Sequence, residues 1–470
     1  MKIALVIFFL TPASWALDLN GFLEKIKERH QGLKSFEISK QAAEDRMEAA
    51  DISLVPVLSL KGAWLEDKKQ PNFLGAESMN TTQYTLGLSK KFTTGTQISL
   101  SAQALGSENK GLSNPALAAY AKYAQGSLGV AVTQSLWKDF FGASTRLRRE
   151  RDALQGQSEK SSYDLQQKQL LIEAESAYWD FIYLREEFSQ RKSSLERAQK
   201  IESWVRRRAS DGIADRADSL NAQALVATRQ FQMINSQDEV VANEKKIRSL
   251  LELSEKDKLP DLTGDIDFKR DLKSKFKTSS RVVRLDAYLS RLEAKSQDVV
   301  SHQVEDSFRP DLSLAGTYNT NSFEPGGTTA EATRNWDKKD FPTSTVSLTW
   351  TYLFDTSVKS AAESSARKEA MASRLRSERK LLESDLAWHE LIRRNEELDK
   401  KINALRSISL LQKERAKAEQ NKFSKGRSIT SNVINSEQDA AEAELTLTRL
   451  MAEQRKLESQ SQLFVSLEDQ

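Results

Sequence analysis

The residue types that carry most enzymatic chemistry are scarce in this chain. It has no cysteine and only three histidines, His30, His302 and His389. His389 begins the segment HELIR, which lacks the second histidine that completes a zinc-protease helix. Neither a G-x-S-x-G nucleophile turn nor a P-loop nor a G-x-G-x-x-G fingerprint occurs. The sequence therefore predicts a protein that is not an enzyme and that needs no metal ion or cofactor.

Charged side chains are abundant, but the two signs are interleaved. The chain has 70 Lys and Arg and 67 Asp and Glu, and its formal net charge is +3. This balance gives no electrostatic case for a nucleic-acid partner. Carboxylate pairs in such stretches are typical of solvated helix faces. A composition of 29% charged and 39% hydrophobic residues favours long helices with narrow apolar seams over a thick globular core.

The N-terminus is typical of a secretory signal peptide. Residues 1–16, MKIALVIFFLTPASWA, combine one lysine, a short apolar run and a small-x-small end. We expect cleavage after Ala16 and export of the mature chain. No later segment reaches the roughly 18 uninterrupted apolar residues of a spanning helix, so any membrane segments would have to be strands.

One strand motif occurs twice. Residues 55–64 read VPVLSLKGAW, and residues 309–318 read RPDLSLAGTY. The apolar positions of both alternate along the chain, at Leu58, Leu60 and Trp64 in the first copy and at Leu312, Leu314 and Tyr318 in the second. A period of two predicts a half-buried β-strand.

The flanking sequence predicts six strands, at about 57–66, 82–92, 95–105, 126–137, 310–320 and 343–355. The link Thr93–Gly95 is short, whereas the loops at 67–80, 105–124 and 320–342 are long. Short turns at one end and long loops at the other are typical of transmembrane barrels, although a soluble sandwich is the alternative. Aromatic residues suited to a membrane belt lie in or beside these strands, at Trp64, Trp137, Tyr318 and Trp350.

Long helices surround the strands in both halves. The pattern predicts helices at about 145–209 and 357–423, and about 65 residues at ~1.5 Å each would reach nearly 100 Å. Helices of that length must bury their seams in coiled-coil packing. Each ends at a glycine, Gly212 or Gly426, which suits the left-handed position that terminates a helix. The segments that follow, DGIADRADSLNAQ and KGRSITSNVINSE, align without gaps.

The whole chain therefore divides into two copies of one plan. We expect a first repeat at 17–255, a linker at 256–270, a second repeat at 271–465 and a tail at 466–470. The fold class predicted is mostly α with transmembrane β, from an internally duplicated helix–strand–helix protomer.

This plan resembles the TolC-like outer-membrane efflux protein family over nearly the whole mature chain. The resemblance is carried by the repeated strands, by TQSLW and YLFD before the long helices, by AYWDFIYLREEF and by the segment after Gly212. It implies a homotrimer with a shared β-barrel in the outer-membrane lipid and a long periplasmic α-helical barrel. It also implies a periplasmic adaptor and an inner-membrane transporter as partners in efflux or type I secretion.

The usual protomer of this family has two strands per repeat, whereas the first repeat here offers four. Two arrangements fit this count. Either each protomer contributes six strands to a wider barrel, or two of the strands form an accessory hairpin outside a twelve-stranded barrel.

The resemblance also implies a gate at the periplasmic helix tips near Gly212 and Gly426, where the adaptor would dock. The family's acidic constriction residues correspond to Asn432 and Asn435, which keep the spacing but not the charge. Asn221 is the counterpart of Asn435 in the first repeat. Asp218 matches a family aspartate that holds the closed state through polar contacts. That aspartate's tyrosine and arginine partners correspond here to Phe423 and Ser428, so we expect Arg427, one position away, to pair with Asp218 instead. A helix cap is the alternative role for Asp218.

Two other functions stay open at this point. An exported coiled-coil envelope protein without transport activity would share the helices, although paired amphipathic strands disfavour it. A secreted enzyme with helical decoration lacks the site chemistry. The exported substrate does not follow from the sequence, because substrate choice in such systems belongs mostly to the pump and the adaptor.

Overall fold

The computed structural model describes residues 17–68, 76–112, 114–212, 214–266, 272, 282–336 and 341–466. The predicted signal peptide, residues 1–16, and the last four residues of the predicted tail lie outside these ranges. The chain forms two compact units. The helical unit comprises Met1–Gln41, Lys160–Leu289 and Glu378–Gln470, and the sheet unit comprises Ala42–Glu159 and Ser290–Ser377. Both predicted repeats contribute to both units.

The α-helices within the described residues are α1 (Leu19–Arg29), α2 (Gln31–Ala49), α3 (Ala143–Ser210), α4 (Arg216–Leu250), α5 (Leu285–Ser307), α6 (Thr329–Arg334), α7 (Thr356–Ser424) and α8 (Thr430–Gln460). The strands are β1 (Val57–Asp67), β2 (Ser78–Lys91), β3 (Thr96–Lys110), β4 (Lys122–Ser135), β5 (Val282–Arg284), β6 (Asp311–Pro325), β7 (Thr343–Thr351) and β8 (Phe464–Ser466). No helix in the described ranges is both long and apolar enough to cross a lipid bilayer.

The sheet unit contains one six-stranded antiparallel sheet in the order β1-β2-β3-β4-β6-β7. The two halves of the chain meet where β4 pairs with β6, with Val130 opposite Tyr318. All six predicted strands belong to this sheet, so none of them forms a separate hairpin. Several strands run further than predicted, because the alternating pattern continues to Lys110 and Pro325 and begins earlier, at Ser78 and Lys122. The predicted loops at 105–124 and 320–342 are correspondingly shorter.

Two predicted strand ends are wrong at the junctions with the long helices. β4 ends at Ser135, before Trp137, and β7 ends at Thr351 rather than at 355. Asp355 instead caps α7, since its carboxylate accepts the backbone N–H of Ser357 (3.0 Å) and of Val358 (3.1 Å). An aspartate that satisfies free helix N–H groups favours a helix start over a longer strand.

The helical unit is centred on apolar side chains of α1, α3 and the segment after α4. Tyr178 is fully buried, and its ring lies 5.4 Å from that of Phe22. Its hydroxyl donates a hydrogen bond to the Thr263 carbonyl. Within the described residues, helix α5 of the second repeat begins at Leu285. Residues 282–284 form β5, which pairs with β8 close to the C-terminus, and this pairing joins residues too distant in sequence for a local pattern to predict.

Candidate functional site: the faces of the sheet and the helix tips

One face of the six-stranded sheet is apolar and exposed. The register places Leu58, Leu88, Leu100, Val130 and Tyr318 in one row across five strands. On the edge strands Leu60 and Val346 are each 80% exposed. Apolar groups left in water at such density are costly, since each buried leucine or valine side chain is worth about 1.5–3 kcal/mol. The face therefore requires an apolar environment.

The opposite face of the same sheet is polar. Because side chains alternate along a strand, the positions between the apolar ones share this face. One row across it consists of Ser59, Gly87, Ser101, Gly129, Asn319 and Thr343. The next row contains Lys61, Thr85, Gln103, Ser127 and Asn321. A sheet with one apolar and one hydroxyl- and amide-rich face can separate lipid from water.

Both edges of this sheet are unpaired among the described residues of one chain. Within those residues β1 pairs only with β2, and β7 pairs only with β6. Every residue of β7 is exposed, as is nearly all of β1. Long, apolar edge strands offer their free backbone groups to another strand, and natural proteins rarely leave such edges open.

The predicted belt residues are exposed, but they do not form a single ring. Trp64 is 67% exposed and lies on the apolar face near the loop end of β1. Trp350 is 56% exposed on the same face, near the end of β7 that leads into α7. Tyr318 is 42% exposed and lies in the middle of β6, away from either end. Trp137 lies just beyond β4. Phe354, which the sequence pattern did not single out, is 82% exposed beside Tyr352 at the same end as Trp350.

A short helix covers part of the apolar face, which the sequence analysis did not predict. Helix α6 packs on β3, β4 and β6. The Ser322 hydroxyl donates to the Ala332 carbonyl at 2.9 Å. Gly126 leaves room for the helix, because a Cβ atom at this position would lie only 2.5 Å from the Ala332 carbonyl oxygen. The T-x-x-E capping box at Thr328 and Glu331 was the available signal in the sequence.

The junction between β4 and α3 is held by a buried carboxylate. The Asp139 side chain accepts hydrogen bonds from the backbone N–H of Thr145 (2.9 Å) and from Lys91 Nζ (2.9 Å). Burial raises the pKa of this carboxyl, but the hydrogen bonds from Lys91 and Thr145 outweigh it, so the net pKa lies below the ordinary value. Asp139 therefore ties the end of β2 to the start of the first long helix.

The helix tips in the helical unit have the predicted glycine geometry. Gly212 and Gly426 each have a φ of 72°, and a Cβ atom would meet no neighbour at either position. Backbone hydrogen bonds close each helix end, from Gly212 to Ala209 (3.1 Å) and from Gly426 to Phe423 (2.9 Å). In both tips the next helix begins four residues after the glycine.

The two tips share one apolar core. Its buried members come from all four helices: Ala198, Ile201, Val205, Ala222, Leu225, Phe423 and Val433. Phe423 is 2% exposed, and the Arg208 guanidinium lies 4.8 Å from the centre of its ring. Arg208 also donates to the Ser428 carbonyl at 3.5 Å. Arg208 could not be predicted from the sequence, because nothing local distinguishes it from the arginines beside it.

The predicted gate residues lie at the tips, but Asp218 and Arg427 are not paired within one chain. Asp218 lies in the first turn of α4, and Asp215 rather than Asp218 is the cap. Asn221, Asn432 and Asn435 are all exposed. Asn432 and Asn435 share the solvent side of α8, opposite the buried Val433 and Ser436.

Within the described part of the chain, no group of three or more acidic or histidine side chains could hold a metal ion.

No family model and no curated protein sequence matches the chain. Solved structures do match it. The outer membrane protein VceC from Vibrio cholerae superposes with a TM-score of 0.66 at 12% identity, over 94% of each chain.

Two further matches are outer membrane channels. CmeC of Campylobacter jejuni gives a TM-score of 0.65 at 12% identity, over 95% of this chain and 85% of its own. MtrE of Neisseria gonorrhoeae, in its open state, gives 0.63 at 15% identity, over 95% and 88%. This chain therefore has the fold of TolC-like outer-membrane channels, as the sequence resemblance predicts.

Proposed function

We propose that this protein is an outer-membrane channel that serves as the exit duct of a tripartite efflux or type I secretion system. The observation that carries the proposal is the sheet. One of its faces is apolar, the other is polar, and neither edge strand has a second partner among the described residues. Lipid would cover the apolar face, and the polar face would line a water-filled passage. The channel would act as a passive conduit without catalytic chemistry.

Three copies would close the sheet into a barrel, with β7 of one copy beside β1 of the next. Three sheets of six strands give an eighteen-stranded barrel. Barrel diameter grows with strand number, and barrels of 16–18 strands leave an aqueous channel. The lumen would therefore be wider than that of the twelve-stranded plan implied by two strands per repeat.

Exposed apolar residues on the long helices support contact between copies in the helical unit. On α4, Phe231, Ile234 and Val241 are exposed at helical spacing. On α7, Leu382 and Leu386 are exposed. Such stripes fit coiled-coil packing against neighbouring copies, which would complete a helical barrel through the periplasm.

Partners follow from the same proposal. A periplasmic adaptor would contact the tips at Gly212 and Gly426, where the turns are exposed and a Cβ atom would meet no neighbour. The adaptor would connect the channel to an inner-membrane transporter. The outer-membrane lipid would be the third partner, and the mature protein would reside in the outer membrane of a Gram-negative bacterium.

The gate would lie at the same tips. Exposed Asn432 and Asn435 would form two rings of amides in the trimer, which attract cations less than carboxylate rings do. Since Asp218 and Arg427 do not pair within one chain, their latch would have to join neighbouring copies, with Asn221 close to Asp218. We expect Asp218→Ala to raise single-channel conductance in planar bilayers. An unchanged conductance would argue against the latch.

Two adjacent residues of β7 test the channel itself. Val346 and Ser347 are neighbours on opposite faces of one edge strand, and both are exposed. A lysine on the lipid-facing side of a barrel costs about 2–4 kcal/mol near the bilayer midplane, whereas a lysine in the lumen is tolerated. We expect Val346→Lys to prevent assembly in the outer membrane.

Ser347→Lys is the matched control. It should assemble as a detergent-extracted trimer and shift the ion selectivity of the channel toward anions in planar bilayers. If both variants, or the native chain, are found as dissolved single copies in the periplasm, the protein is an envelope coiled coil or a soluble sandwich and the proposal fails.

A further inference from the structure

The helical unit contains a polar cavity away from the tips. The cavity has a volume of about 480 Å³ and lies among α3, α4 and α8. Three arginines line it, Arg191, Arg229 and Arg449, together with the carboxylates Glu187 and Glu442. The formal charge of these five side chains is +1, so the lining is electropositive.

Arg229 is buried in this lining and forms no ion pair with a described carboxylate. The residue is only 7% exposed. Its Nη1 donates to the side-chain oxygen of Gln232 at 2.9 Å, and its Nε has no hydrogen-bond partner among the described residues. A buried donor left unpaired is destabilising, and more so when the group is charged. The Arg229 guanidinium can therefore donate a further hydrogen bond to an acceptor in the cavity.

A second arginine uses the same neutral acceptor. Arg191 Nη1 donates to the Gln232 oxygen at 3.0 Å, so two guanidinium groups converge on one amide. Arg191 has a counter-charge in Glu187, 3.1 Å away, whereas Arg229 has no ion pair among the described residues. Burial lowers the pKa of the Arg229 guanidinium, and the positive charge of Arg191 lowers it further, against an opposing contribution from Glu437.

Arg449 supplies a cation on the open side of the cavity. It is exposed and makes no ion pair with any described carboxylate. Guanidinium groups bind carboxylates and phosphates through paired N–H donors, which makes arginine the usual residue for oxyanion recognition. Arg229 from within and Arg449 at the mouth thus offer free donors to one cavity.

We propose that this cavity binds a small anion through a carboxylate or phosphate group held by Arg229 and Arg449. The cavity volume lies in the range typical of small-molecule sites, so the oxyanion can belong to a larger organic molecule. The site is separate from the tips and does not depend on the channel function. An oxyanion of the same chemistry could also come from an aspartate or glutamate of a neighbouring copy, and the experiment below separates the two sources.

Inorganic phosphate and acetate are the probes. The detergent-purified full-length protein is titrated with each at constant ionic strength, with chloride as the reference, by isothermal titration calorimetry and by hydrogen–deuterium exchange. We expect saturable binding and slower exchange in α3, α4 and α8 around the cavity. Arg449→Gln should weaken the apparent affinity at least tenfold. It should also leave exchange without ligand unchanged, because Arg449 is exposed.

Arg379→Gln, on an exposed part of α7, is the matched control and should bind like the native chain. Arg229→Gln should abolish binding. If Arg229→Gln does not fold, Arg449→Gln still tests the site. Equal responses to chloride and the oxyanions, or native-like binding by Arg449→Gln, would overturn the site. Binding only by separated single chains would show that a neighbouring copy fills the cavity, and it would overturn the proposal of a free anion.

Discussion

The two helix tips have the same backbone turn but are stabilised by different interactions. Each turn has its glycine at a φ of 72°, and a new helix begins four residues later. In the first tip the Asp215 carboxylate caps α4 by accepting the Asp218 N–H at 2.8 Å. In the second tip the equivalent residue is Ile429, which makes no side-chain cap.

The second tip relies on tertiary contacts instead. Phe423 is buried three residues before Gly426, where the first tip has only Ala209 before Gly212. Arg208 of the first tip covers the Phe423 ring and reaches the Ser428 carbonyl. The comparison teaches that a duplicated turn needs only the glycine in common. One copy can depend on a local cap, while the other depends on its neighbour's side chains.

Removing the buried ring should have the largest effect. Phe423→Ala should lower the free energy of local opening of the tips by about 3–5 kcal/mol, because it leaves a cavity in the shared core. Hydrogen–deuterium exchange across α3, α4, α7 and α8 measures this, and both tips should loosen. Phe423→Leu is the control and should cost less than half as much. Loosening confined to the second tip would contradict a shared core.

Exchanging the caps should have an intermediate effect. Asp215→Ala should destabilise the first tip by about 1 kcal/mol, since it removes the acceptor for a free N–H of α4. Ile429→Asp should stabilise the second tip by a similar amount, because it supplies the missing acceptor. Asp215→Asn is the control that keeps the cap. Slower opening of the first tip in Asp215→Ala would refute the assignment of the cap.

Lowering the pH should have the smallest effect on the stability of the tips. It should act only on the second tip, through the hydrogen bonds of Glu419. Hydrogen bonds from Lys422 (2.7 Å) and Ser428 (2.8 Å) hold the pKa of the Glu419 carboxyl below its ordinary value. A lowered folded-state pKa stabilises the fold above the unfolded pKa of about 4.3, and this contribution is lost as the pH falls through the folded value. As the pH falls through the folded pKa of Glu419, the protection of the second tip against exchange, relative to the intrinsic exchange rate, should decrease. Glu419→Gln should remove this pH dependence. A native profile in Glu419→Gln would exclude the contact.

Local patterns in the sequence predicted much of the fold. Strict alternation at Leu58, Leu60 and Trp64, and at Leu312, Leu314 and Tyr318, marks the strands, because a pleated backbone sends successive side chains to opposite faces. Gly212 and Gly426 mark the turns, because few other residues adopt a positive φ at low cost. The repetition of both patterns predicted the duplicated plan, and the likeness to solved channels confirms the predicted TolC-like fold.

Other features required contacts between residues far apart in the sequence. Only the folded chain decided that β4 pairs with β6, that β5 pairs with β8 and that α6 lies on the apolar face. It also decided that Asp215 caps α4, that Arg208 covers Phe423 and that Asp218 and Arg427 stay apart within one chain. The sequence by itself determined the periodicities and the turns, because these follow from local backbone geometry. The tertiary structure decided which side chains meet, because packing selects among many arrangements with the same local pattern.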